Sequence, residues 1–195
     1  MVAVSPPEAF SLAEMMATLP VVHRRRIEDR LAATRERLAE AGLLPALQDL
    51  AESTTQQNDE SSDPVNRAYY ALRLPCIFLE DGMCSIYEHR PSACREHLVT
   101  SPAELCQDTA KNPVTELSIP LRAGTVLSIL WADLMGGPVR LIPLPIMFEW
   151  VERHRSMLEQ TWNGLDLFDQ ALEGLGKFLK QALKSTSGNP PEDPA

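Results

Sequence analysis

Cys76, Cys84, Cys94 and Cys106 are the only cysteines of the 195-residue chain. Four thiolates suffice to close a tetrahedral metal shell. Sulfur donors suit Zn²⁺ and iron–sulfur clusters alike, so ligand type leaves both open. The spacing, Cys-x7-Cys-x9-Cys-x11-Cys, lacks the Cys-x2-Cys knuckles of zinc fingers and ribbons. Two disulfides are an alternative, disfavoured where thiols are kept reduced. Four separate core thiols, packed as small hydrophobes, are another. Metal or cluster ligation accounts best for the clustering. His89 and His97 flank Cys94 and could each replace a cysteine, although polar loop residues need no such role. Arg90 and Arg95 stand beside thiolates whose mutual repulsion a guanidinium offsets. Both are candidates to donate to a sulfur or a loop carbonyl; ion pairs with Glu88 or Glu96 are the alternative. Phe78 and Tyr87 are expected to pack together as a small core beside the loop.

The residues between the cysteines add specificity. Cys76-x-Phe78-Leu79-x-x-Gly82-x-Cys84-Ser85-Ile86-Tyr87-Glu88-x-Arg90-Pro91-x-x-Cys94-Arg95 resembles the YkgJ-like cysteine-cluster family. That family is described as zinc- or iron-chelating and includes the flagellin lysine N-methylases. The resemblance covers about residues 74 to 97. It implies a metal or cluster site, and beyond it either a structural or redox role or a protein-modifying activity. Two departures stand out. Family members carry an upstream Cys-x-x-Cys-x-x-Cys-Cys cluster, but residues 50 to 64 here hold no cysteine, and Ile77 replaces a common proline. With the upstream thiols absent, Cys106 is the natural fourth ligand.

The elements that must position these residues read as helices. Ser5-Pro6-Pro7-Glu8 is a capping box with proline in the first turn, opening a helix to about Thr18. Ile27, Leu31, Thr34, Leu38 and Ala41 keep helical spacing up to Gly42. His23-Arg24-Arg25-Arg26 is the only basic run and reads as a solvated helix face. Pro45 opens a short turn to about Leu50. AESTTQQNDESSDP, 51–64, reads as an exposed loop. VNRAYYALRL, 65–74, fits a strand or a helix. The cysteine segment, 74–106, reads as mostly irregular, with an Asp81-Gly82 turn and a short helical turn through Cys94. Ser101-Pro102-Ala103-Glu104 would place Cys106 one turn into a short helix. A helix follows up to Gly136-Gly137. VRLIPLP is too rich in proline for an inner strand. Pro145 is expected to start a helix through about Trp162. A last helix carries Leu165, Phe168, Leu172, Leu175, Leu179 and Leu183 on one stripe.

The expectation is a mainly α, single helical domain over 1–184 with an irregular metal-binding segment at 74–106. Residues 185–195 read as a disordered tail. The net charge of −9 argues against nucleic-acid and anionic-membrane binding, both of which need basic surface. No secretory leader pattern opens the sequence, so a cytoplasmic location is expected. Nothing resembles a phosphate or dinucleotide loop. Function is therefore expected to rest on an iron–sulfur cluster or Zn²⁺ held by four cysteines. The rivals are a methylase-like enzyme and a zinc-stabilised module that meets a protein partner.

Overall fold

Glu8 begins the fold by holding two helix starts at once. Its carboxylate accepts the Ser5 N–H at 3.0 Å and the Ser5 hydroxyl at 2.7 Å. This secures the entry to α1, Pro6–Thr18, where the sequence expected it. The computed structural model describes residues 1–53, 59–102, 105, 113–117, 119 and 122–186. α2 spans Val21–Glu40 and α3 Leu44–Glu52, with Gly42 taking positive φ between them. α4 is Asp59–Ala71, which corrects the polar stretch read as loop over its second half. Polar composition hid this helix because few of its residues are anchors: Val65 and Tyr69, with Leu72 just beyond, pack against the core. Pro64 sits inside α4, so the helix starts before the Asp63-Pro64 signal.

The cysteine segment is more regular than expected. Leu79–Glu80 (β2) and Met83–Cys84 (β3) form an antiparallel hairpin, pairing Leu79 with Cys84 and Glu80 with Met83. Asp81 and Gly82 both have positive φ, at 50° and 78°, as a two-residue type I′ turn requires. A 3₁₀ turn at Tyr87–His89 leads to α5, Ser92–Glu96. α6 is Ala123–Met135, ended by Gly136 in the left-handed conformation.

Ile142–Pro143 (β4) pairs antiparallel with Ala3–Val4 (β1), a two-stranded ladder in which proline is tolerated because every strand is an edge. α7 is Met147–Arg153 and stops well short of Trp162. His154 stands at its end, held by three contacts. Its Nδ1 lies 2.8 Å from the Trp150 carbonyl, its ring stacks on Trp150 at 4.2 Å, and its Nε2 reaches Glu52 at 3.2 Å. A 3₁₀ turn over Arg155–Glu159 follows, then α8, Gly164–Thr186. The tail from 187 lies outside the described residues. No helix among the described residues is long and apolar enough to cross a membrane.

One core joins these pieces. Val4, Phe10, Ile27, Leu38, Leu47, Ile142, Ile146, Met147 and Trp150 are buried together. Phe10 lies between Trp131 and Trp150, at 5.7 and 5.6 Å between ring centres. Side chains of this size stabilise by about 1.5–3 kcal/mol each when fully buried. Ile77, Phe78 and Ile86 belong to the same core, so the cysteine segment is rooted in the main fold. Tyr87 departs from expectation. It is 60% exposed and covered on one face by Arg90, whose guanidinium stands 3.8 Å from the ring centre.

Candidate metal centre

Three of the four cysteines are placed by three different elements. Cys76 lies on the approach to β2, Cys84 ends β3, and Cys94 sits on α5. Each placement has its own cause. The Leu79 N–H bonds the Cys76 carbonyl at 2.9 Å, and the Ser85 N–H bonds the Phe78 carbonyl at 2.8 Å, which folds the hairpin back over Cys76. Cys94 depends on the ends of α5. At the N-terminus, Glu8 reaches across 84 residues of sequence to accept the Ser92 N–H at 2.7 Å and its hydroxyl at 2.5 Å. At the C-terminus, Glu96 accepts the Ala123 N–H at 2.7 Å and so caps α6. α5 is thereby clamped between the first helix and the sixth.

Two of the three thiols are raised by burial and by their neighbours. Burial pushes the Cys94 thiol up to about 11, with Cys76, Cys84 and Glu8 adding to the rise and Arg90 opposing it. Burial also raises Cys76, and the charge of Cys84 raises it further. Working the other way, the Phe78 backbone N–H, the Arg30 cation and the Leu79 backbone N–H each lower it. Backbone N–H donors and a cation aimed at a sulfur favour the thiolate. Mutual repulsion of thiolates is what a bound cation relieves, so the donor chemistry fits zinc or iron. Among the described residues, no three His, Cys, Asp or Glu side chains are drawn together tightly enough to hold a metal ion by themselves. The three sulfurs are associated without a closed shell.

Cys106 lies outside the described residues, as does most of the helical turn expected around it. The stems of its loop are described. The Leu117 N–H donates to the Leu98 carbonyl at 2.8 Å and the Thr100 N–H to the Thr115 carbonyl at 2.9 Å. The loop thus leaves from and returns to a point just after α5. His97 faces Glu116 at 3.9 Å.

The arginines have distinct partners. Arg95 donates from Nε to the Arg90 carbonyl at 2.9 Å and from Nη2 to the Glu88 carbonyl at 2.6 Å, tying α5 to the 3₁₀ turn before it. Arg90 bonds the Tyr87 carbonyl at 3.3 Å. Arg95→Ala is expected to weaken metal affinity by about 10-fold, within the range for residues that orient ligands. Arg95→Lys, which keeps the charge and loses the planar fork, should be intermediate. A metal-competition titration compares them; equal affinity in all three proteins makes Arg95 a surface residue.

Sequence reasoning missed the contribution of α2. Arg30 donates to the Ile77 carbonyl at 2.7 Å. His23, Arg26 and Arg30 converge on Glu80 of the hairpin, at 3.5, 2.7 and 3.6 Å. Part of the basic face read as solvated therefore docks the hairpin, while Arg24 makes only an i,i+4 contact with Glu28 at 3.7 Å. The available signal was the i, i+3, i+7 spacing of His23, Arg26 and Arg30 on one side of an otherwise amphipathic helix. Beside them an open depression of about 780 Å³ runs from solvent to Cys84, past Met83, Tyr87 and Arg90.

Comparison with known proteins follows this geometry. Residues 40–115 match the CxxCxxCC family model, described as "putative zinc- or iron-chelating domain". The matched stretch includes 50–64, where this chain has no cysteine, and no pair of its cysteines is spaced Cys-x-x-Cys. No curated protein and no solved structure matches the chain significantly.

Proposed function

We propose that this chain, whose residues 40–115 belong to the CxxCxxCC family, binds one zinc or iron centre through Cys76, Cys84, Cys94 and Cys106, in a structural role. The observation that carries the reading is the electrostatic coupling of Cys76, Cys84 and Cys94, set on three elements that the fold clamps separately. Cys106 is the fourth ligand. It lies six residues from Thr100, within about 20 Å of extended chain, and its loop is closed beside α5. The bound metal supplies the positive charge that lets several thiolates share one small volume. The chain supplies the rest: Arg30 and two backbone N–H groups favour the ionised Cys76, and Glu8 and Glu96 fix α5. A reducing cytoplasm keeps such thiols available for metal.

The test is elemental analysis and absorption of the full chain purified without oxygen. About one zinc or iron per chain supports a mononuclear centre. A broad band near ~400 nm with acid-labile sulfide makes the centre an iron–sulfur cluster and shifts the role toward electron transfer. Absence of both metals overturns the proposal. Cys76 and Cys94 have raised pKa values and are protonated near neutral pH without a cation, so binding must release protons and affinity must rise with pH. Titration calorimetry in two buffers of different ionisation enthalpy measures that release.

A further inference from the structure

α8 carries two apolar stripes. One, Leu167, Ala171 and Phe178, is half-buried, in keeping with the packing of α8 along α6. The other runs Leu165, Phe168, Leu172, Gly176, Leu179, at the three- and four-residue spacing of a helix–helix seam. Leu165, Phe168 and Leu172 are 78%, 60% and 50% exposed. No atom lies within 4 Å of where a Cβ on Gly176 would stand. Three large apolar side chains left in water along one line mark an interaction surface.

The charges beside that stripe identify its occupant. Asp169, Glu173, Lys177 and Lys180 are all exposed; helical geometry sets Asp169 and Lys180 on one flank of the stripe, with Glu173 and Lys177 farther round the same side. The order is acidic toward the N-terminus and basic toward the C-terminus. Among the described residues, none of the four is joined to another charge of the chain. In an antiparallel pair of identical helices, like flanks face each other across the two-fold axis. With the axis between residues 174 and 175, Asp169 stands level with Lys180 of the second copy, twice by symmetry. The same register brings Leu172 within one residue of Gly176 of the second copy and Phe168 within two of its Leu179. Apolar seam, gap and the Asp169–Lys180 pair agree on one register to within about a third of a helical turn.

We propose that the chain self-associates through α8 as an antiparallel two-fold dimer in this register. Each copy offers the same surface, and the interface leaves the cysteine segment uninvolved.

Sedimentation velocity of the full chain, as purified with its metal, tests this across protein concentration. Wild type is expected to be dimeric at micromolar concentration. Leu172→Asp should be monomeric while helix content and metal content stay unchanged. Asp169→Lys, an exposed change that spares folding, places like charges opposite each other twice and should raise the dimer Kd by about 10-fold. The double variant Asp169→Lys with Lys180→Asp should return the Kd to the wild-type value. That restoration separates the proposal from a helix-dipole role for the same charges, because the swap opposes the dipole and restores the pairing. A monomeric wild type at about 100 µM, or a swap that fails to restore association, overturns it. Metal content, read on the same samples, reports separately on the site.

Discussion

Cys94→Ser is expected to reduce bound metal from about one ion per chain to near zero, because a serine hydroxyl cannot supply the thiolate that both metals prefer. The variant should nonetheless fold. Sequence reasoning gives residues 74 to 106 an irregular, metal-binding fold with only a small Phe78 and Tyr87 core beside it. The burial of Ile77, Phe78 and Ile86 in the central cluster changes that expectation. In limited proteolysis of Cys94→Ser, residues 76 to 96 should stay protected with the helices, since those three apolar anchors and the Arg30 and Glu8 bonds persist without metal. Retention of full metal content removes Cys94 from the ligand set. Rapid cleavage within the hairpin would show that the anchors hold less than their burial implies.

Glu8→Ala carries the second largest expected effect, about 3 kcal/mol of stability, from four lost charge-assisted bonds at two helix starts. Chemical denaturation measures it. Glu8→Gln keeps the shape and loses the charge, so its cost should be smaller. The pH dependence has a definite sign. Burial alone would raise the Glu8 pKa, but the Ser92 and Ser5 hydrogen bonds outweigh it and leave the carboxyl below its ordinary value. A depressed carboxyl contributes stability that is fully present above the ordinary glutamate pKa and fades as pH falls through it toward the folded value. Wild type should therefore lose more stability than Glu8→Ala between pH 5.5 and 3 (about the range where glutamates titrate). Equal losses would mean that Glu8 is not held ionised. Metal affinity should fall with Glu8→Ala as well, since α5 loses its N-terminal clamp.

Local signals and distant ones divided cleanly. Ser5-Pro6-Pro7-Glu8, Gly42, Asp81-Gly82 and Gly136 each announce a start, stop or turn through their own backbone chemistry, and each stands where that chemistry requires. The mainly α class follows from them. The reach of Glu8 to Ser92 and of Arg30 to Ile77 has no local signature, because either residue would read equally well as a solvated charge. α4 was hidden for a related reason: its few apolar anchors are satisfied by a core that only the tertiary fold supplies. The four cysteines were legible as a set through their clustering. The placement of Cys76, Cys84 and Cys94 depends on those same unannounced contacts.

The ladder between Ala3–Val4 and Ile142–Pro143 sets a calendar for the molecule. The Ala3–Val4 strand has to wait for a partner made some 140 residues later, and Trp150, at the heart of the core, arrives later still. All four thiols are synthesised in that interval, before the clamp from Ala123 onto Glu96 exists. Long-range closure of this kind is slow relative to local helix formation. The nascent chain thus exposes its thiols before the fold that would gather them is complete, so loading of the proposed centre is expected late in folding.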